Sequence, residues 1–240
     1  MDAVTIALEL AVQDAAGVRV AREVGAARVE FTQALALGGL TPSAAALETA
    51  LDAAGESGPE IHVLIRPRPG GFQYDADELA VCVRDVERAV AAGAAGVVVG
   101  ALDRSGALDL VAITRMRDAA GGASVTLHRA IDATADPVAS LERAIDMGLQ
   151  RVLTSGGASV ALDGLETLRA MVAAADGRIE VMAGSGVNEA SAPALAASGV
   201  DAVHLSAKRV VGVENDGLGF GGHEITDRDI ALAVRDALGL

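Results

Sequence analysis

The chain has 240 residues, 51% hydrophobic and 22% charged, with a mean hydropathy of +0.39, which is enough apolar side chain for the large core of a globular protein. Nineteen basic against thirty-three acidic residues leave a net charge of −14 and a pI near 4.6, so no broad basic face is available for a nucleic-acid backbone or an anionic membrane. Trp is absent and aromatic residues make up 2%, which removes base-stacking platforms; one cysteine excludes an intramolecular disulfide and a two-cysteine zinc knuckle.

Short β-branched runs alternate with longer segments of helical period from the first residues to the last. Strands are predicted near 4–10, 27–31, 60–65, 96–99, 124–128, 151–154, 179–183 and 201–205. Helices are predicted near 12–24, 42–54, 76–92, 109–119, 136–147, 159–175, 188–198 and 227–238. Thr41 before Pro42, Asp136 before Pro137, and the capping-box spacing of Thr226-Asp227-Arg228-Asp229 mark helix starts. Glycines at 25, 148 and 199 each end a helix and feed a short turn into a strand. Eight strand–helix units in this length are the arithmetic of an α/β fold of the (β/α)8 TIM-barrel type, with a doubly wound open sheet as runner-up. No composition break divides residues 1–240, so a single domain is expected, with a long Gly-rich loop at 207–226 after the eighth strand. The stretch from Val211 to Gly222 supplies glycine hinges for a lid over the mouth. The N-terminus lacks a basic region followed by an apolar stretch, and no apolar run reaches the roughly 18 residues of a spanning helix. Both point to a cytoplasmic protein with no membrane partner.

Strand parity selects the candidate site. Large aliphatic side chains face the helices and the alternate ones enter the barrel. Ile6, Leu8 and Leu10 turn Glu9 inward; Val29 and Phe31 turn Glu30 and Thr32 inward; Ile61, Val63 and Ile65 turn His62 in at the bottom and Arg66 in at the top. Val125 and Leu127 leave Thr126 and His128 inward, and Val203 and Leu205 leave His204 and Ser206 inward. Unpaired charge inside a barrel costs several kcal/mol, so these groups need each other or a ligand. Glu9, Glu30, Arg66, His128, Arg129 and His204 are the candidate catalytic group, while His62 at a strand start is expected to be structural. A purely structural alternative pairs Glu9 and Glu30 with Arg66 and Arg129 as a plug.

A second feature is the run Ala183-Gly184-Ser185-Gly186-Val187-Asn188, where glycines permit close backbone approach before a predicted helix N-terminus, the makings of an anion site. Ser206 and Lys208 follow the eighth strand, and Ser155 and Gly156 after the sixth extend the same cradle. Together Ser155, Gly156, Gly184, Ser185, Gly186, Ser206 and Lys208 are the expected site for a small anionic ligand.

The segments LEL at 8–10, ARVEF at 27–31, GGLTPS at 38–43, IRPRPGGFQY at 65–74, TLHRAID at 126–132, RVLTSGG at 151–157, MAGSGV at 182–187 and VHLSA at 203–207 resemble the CutC family, named for copper homeostasis. The resemblance implies a (β/α)8-type barrel, a cytoplasmic homodimer or higher homo-oligomer, and copper binding. Where many members of that family carry cysteines after the glutamates of the first two strands, this chain has Ala11, Val12, Thr32 and Gln33. Its sole cysteine, Cys82, lies on the third predicted helix as an expected buried thiol, and Met182 is inward by parity. Three functions follow for test: copper handling, as the resemblance implies; an enzyme acting on an anionic or phosphorylated small molecule; and a zinc or manganese site on His128, His204 and the two glutamates.

Overall fold

Runs such as Gly-Val-Val-Val at 96–99 are too short and too rich in β-branched residues for a helix and are buried on both faces, which is what a parallel sheet wrapped in helices requires. In the computed structural model, which describes residues 6–212 and 221–240, these runs become β1 (Ala7–Val12), β2 (Arg28–Phe31), β3 (Glu60–Leu64), β4 (Gly96–Val99), β5 (Ser124–Leu127), β6 (Arg151–Thr154), β7 (Glu180–Gly184) and β8 (Ala202–Leu205). They pair in parallel in chain order, and β8 pairs with β1 to close the barrel.

Around it lie α1 (Ala15–Glu23), α2 (Ala44–Ala54), α3 (Ala76–Ala91), α4 (Leu110–Ala120), α5 (Pro137–Asp146), α6 (Leu165–Ala175), α7 (Ala192–Ala196) and α8 (Arg228–Ala237). Side chains of Asp14, Ser43, Asp75, Asp109, Asp136 and Asp227 accept from the first-turn amides of their helices, and Asp75 with Glu78 completes a capping box on α3. The main core fills the shell between strands and helices, with Leu8, Leu10, Phe31, Ile65, Leu127 and Leu168 fully buried. Inside the barrel the apolar cluster is small, formed by Leu153, Met182 and Ala202. Polar side chains therefore occupy much of the interior.

Several boundaries differ from the sequence expectation. The helix expected over 159–175 splits into a 3-10 turn at Ala161–Gly164 and then α6, because Gly164 lies so close to Ser155 that a Cβ there would sit 1.9 Å from the Ser155 carbonyl oxygen. The helix expected over 188–198 shrinks to α7: Asn188 Oδ1 accepts from the amides of Ala190 and Ser191 and holds a turn where helix was expected. The 207–226 segment is a loop only in part, since β9 (Lys208–Val211) and β10 (His223–Thr226) form an antiparallel ribbon. The centre of the expected lid, 213–220, and residues 1–5 lie outside the described residues. Among the described residues no helix is long and apolar enough to cross a membrane.

Candidate functional site

The parallel register brings functional side chains into one layer. Arg28, Glu9, His204 and Gly184 are successive partners across β2, β1, β8 and β7. Glu9 Oε2 accepts from Arg28 Nε at 3.0 Å, and Glu9 Oε1 lies 2.9 Å from His204 Nδ1. Since an ionised carboxylate only accepts, His204 Nδ1 carries the hydrogen. On the other side of the ring Nε2 faces Glu30 Oε2 at 3.6 Å. His204 is thus an imidazole between two buried carboxylates.

Burial opposes charge at each of the three groups, and their partners decide the outcome. Burial pushes the Glu9 carboxyl up, but the His204 hydrogen bond and the charges of His204 and Arg28 outweigh it and bring Glu9 down to about 2. Burial also works against a charged His204, yet the Glu9 hydrogen bond and the charges of Glu30 and Glu9 raise its pKa. Glu30 has no comparable donor. Burial, aided by the charge of Glu9 and only partly offset by His204, raises its pKa. One carboxylate is held ionised and the other is lifted toward neutrality, a division that suits proton transfer.

Three histidines, His62 and His128 buried and His204 partly so, each lie close to a glycine of a neighbouring unit. A Cβ on Gly184 would lie 3.3 Å from His204 Cδ2, one on Gly96 would lie 2.5 Å from His62 Nδ1, and one on Gly100 would lie 2.4 Å from His128 Cε1. Gly184 belongs to β7, where a Cβ would meet Leu153 Cδ1 at 2.5 Å before it met the His204 ring, and it does not line the cavity above. His62 is fully buried with Nε2 3.3 Å from Glu60 and lies away from the mouth, in keeping with a structural role.

Above this layer opens a cavity of about 530 Å³, lined by Glu30, Arg66, His128, Arg129, Ser185, Gly186, His204, Ser206 and Lys208 together with Leu35, Phe72 and Leu153. Arg66 is held by backbone: Nη1 donates to the carbonyls of Leu37 and Gly39, and Nη2 to that of Gly70. Gly38 has φ +84°, and a Cβ there would lie 3.0 Å from Arg66 Nη1, so the glycine pair at 38–39 lets the chain wrap the guanidinium. Arg129 Nε donates to Asp132 Oδ2 at 2.8 Å, and its Nη2 donates to Ser155 Oγ at 3.0 Å. Neither arginine pairs with Glu9 or Glu30, so the plug alternative does not hold.

Glu9 supports the cavity from beneath, as a fully buried partner of His204. Ser155 and Gly156 are also outside the lining. The Ser155 amide and hydroxyl both donate to Asp132, and a Cβ on Gly156 would meet the Gly164 carbonyl oxygen at 2.5 Å, so this pair belongs to a packed turn. Ser185 lines the cavity but gives its hydroxyl to the Ser159 carbonyl. Lys208 Nζ lies 2.6 Å from Glu224 across the ribbon. The expected anion cradle is thereby reduced to Gly186, Ser206 and Lys208 beside the two arginines. Among the described residues no group of three or more His, Cys, Asp or Glu is arranged to hold a metal.

Three contributors escaped the sequence reading. Arg28 shares the parity of Glu30, the one signal that could have found it, and it links Glu9 to Glu180 and places Nη2 4.0 Å from Met182 Sδ. Arg151 Nε lies 2.9 Å from the same Glu180, though its N–H is not aimed at that oxygen. Asp132 accepts from Arg129, Thr154 Oγ1, both Ser155 donors and the Gly157 amide, a role with no periodicity to announce it.

A closed parallel barrel carrying charged side chains around a cavity at the C-terminal ends of its strands defines a (β/α)8-barrel protein with its candidate site at the usual mouth. The chain belongs to the CutC family, whose model matches residues 6–209. A protein named as family protein CutC from Xanthomonas campestris pv. campestris (strain 8004) is 45% identical over 208 residues, 86% of this chain and 85% of that one. Another so named from Xylella fastidiosa (strain Temecula1) is 42% identical over 234 residues, 94% of this chain and 86% of that one. Among solved structures, a candidate copper homeostasis protein CutC from Streptococcus agalactiae superposes with a TM-score of 0.79 at 29% identity, covering 84% of this chain and 98% of that chain. A thiamine phosphate pyrophosphorylase from Pyrococcus furiosus, at 18% identity and a TM-score of 0.62, shares the fold alone.

Proposed function

We propose that the chain acts on a small anionic molecule bound at the barrel mouth and exchanges a proton with it through Glu30 and His204. The observation that carries this reading is the sequence of groups Glu30, His204 and Glu9, with the imidazole between an ionised carboxylate and one of raised pKa, at the floor of a cavity walled by Arg66 and Arg129. The arginines and Lys208 attract and orient the anion, the Glu30 carboxyl takes or returns the proton, and Glu9 holds His204 in one tautomer. Isothermal titration against inorganic phosphate and small phosphorylated and carboxylated compounds tests it. Saturable binding that Arg129→Ala weakens tenfold or more is expected. Absence of binding in the unaltered protein, or equal binding in the variant, ends the reading.

The copper reading rests on the resemblance and on the printed name of the streptococcal relative. Cu(I) prefers thiolate and thioether ligands. Cys82 is fully buried on α3, its thiol pushed up to about 12 by burial, and Met182 lies inside the barrel against Leu153, Ala202 and Arg28. No sulfur stands at positions 11, 12, 32 or 33. These residues do not fit a tight Cu(I) site. An anaerobic Cu(I) competition titration against a chelator is expected to show no stoichiometric binding, and tight binding would reinstate copper.

A further inference from the structure

Glu30 is only 7% exposed, yet among the described residues no group donates a hydrogen bond to its carboxyl. The exposure it keeps faces the cavity, which it lines together with His204 and Ala11. Its oxygens are open to that space, in contrast to His128 Nε2 and Arg66 Nε, which are sealed within the wall. His204 Nε2 stands 3.6 Å from Glu30 Oε2, beyond hydrogen-bond reach, and it too is open to the cavity without an acceptor. Buried polar groups are nearly always paired. A carboxyl and an imidazole nitrogen that share a gap without bonding each other call for a third group that bonds both.

The strand between them builds that gap. Glu30 on β2 and His204 on β8 flank β1, where Glu9 is the register partner of His204 and Ala11 that of Glu30. Glu9 takes the lower inward position of β1 and anchors the ring through Nδ1. Ala11, two residues further on and of the same parity, brings only a methyl group to the cavity wall. The Nδ1 hydrogen is spent on Glu9, and the raised pKa of His204 favours a second hydrogen on Nε2. A donor and an acceptor thus stand 3.6 Å apart above a small residue. A hydroxyl satisfies both at once, accepting from Nε2 through its oxygen and donating its own hydrogen to Glu30. An ionised carboxylate or phosphate has no hydrogen to give Glu30, and Glu9 and Glu30 together repel it. The anionic group belongs instead beside the cations. Arg66 is partnered by three carbonyls and by no carboxylate, so its charge remains for a ligand.

We infer that the ligand is an anion that also carries an alcohol, its hydroxyl seated between Glu30 and His204 over Ala11 and its anionic group beside Arg66, Arg129 and Lys208. This rests on the anion reading above and names its substrate class. Water can make the same two hydrogen bonds in solution. A ligand hydroxyl displaces it and reproduces both, whereas an alkyl group displaces it and reproduces neither.

The test compares pairs that differ only in hydroxyl groups: glycerol 3-phosphate against propyl phosphate, and lactate against propionate. By isothermal titration at least one hydroxylated compound is expected to bind tenfold or more tightly than its partner, and the pair that shows it tells phosphate from carboxylate. Ala11→Val, which fills the gap, and Glu30→Leu, which removes the acceptor, should each abolish the preference while leaving the Arg129-dependent binding of the partner compound in place. Equal binding within both pairs, still weakened by Arg129→Ala, overturns the alcohol inference and leaves the anion reading standing. Binding of none of the four overturns both. A preference that survives both variants places the hydroxyl elsewhere and overturns the inference. Nitrogen-15 shifts of the unaltered protein give a measurement independent of any variant: His204 Nε2 should resonate differently with the two members of the preferred pair bound, and identical shifts overturn the inference.

Discussion

Glu9 and His204 stand directly opposite each other across the seam where β1 meets β8, and their side chains join at 2.9 Å at the place where the barrel closes. The contact that completes the fold is thus also the contact that sets the charge of the candidate proton-transfer group.

Glu9→Gln keeps the shape and removes the charge. The pKa of His204 is expected to fall by a unit or more, read from its imidazole proton shifts. In the native protein the raised pKa of His204 gives stability that is fully present below the unfolded value of 6.5 and is lost as pH rises through the folded value. Each unit corresponds to about 1.4 kcal/mol, so the variant should lose this alkaline-side slope. An unchanged His204 titration would rule out Glu9 as its cause.

Acid sensitivity should have a different origin. His128 falls from 6.5 to about 4, so the unfolded chain takes up a proton first and stability drops as pH falls across that window. The largest such loss is about 3 kcal/mol. Glu9, at about 2, adds a loss of the same sign below 4.5, while Glu30, with its raised pKa, works in the opposite direction. Urea unfolding at successive pH values should show a shallower decline between 6.5 and 4 in His128→Phe, and an identical decline would exclude His128 as the source.

Arg28→Met removes the cation that Glu9 and Glu180 share inside the barrel. Breaking a buried pair from one side costs about 3–5 kcal/mol, because the remaining charge loses its partner. Denaturant midpoints report this. A loss below about 1 kcal/mol would mean that the interior is well solvated.

Asp132→Asn replaces an acceptor-only group with one that must turn an NH2 toward donors already arrayed around it. A loss of about 1.5–3 kcal/mol is expected, together with weaker anion binding as Arg129 loses its tether. Unchanged binding would separate the 154–157 turn from the site.

The two-residue period of a strand made much of this legible. It places Glu9, Glu30, His128 and His204 inside from the sequence alone, because a slip of one residue would bury a charge among the helices. Parity says which face a side chain takes and nothing about its partner. The pairing of Glu9 with Arg28 and His204, a set that parity does not specify, follows from the register around the closed sheet, which depends on all eight strands together. Asp132 lies in a 3-10 turn, where no period operates, and the over-long helices at 159–175 and 188–198 arose because apolar spacing continues through turns that Gly164 and Asn188 shape by contact.

The pairing of each interior imidazole with a glycine on or just after an adjacent strand bears on how such a barrel can change over descent. Neither member of a pair such as His128 and Gly100 can be altered freely alone: a methyl group at 100 collides with the ring, and a smaller residue at 128 leaves a hole against a backbone that has no side chain to fill it. The polar interior is therefore inherited in coupled steps, and a relative that has lost one of these histidines should have regained a side chain at the matching glycine.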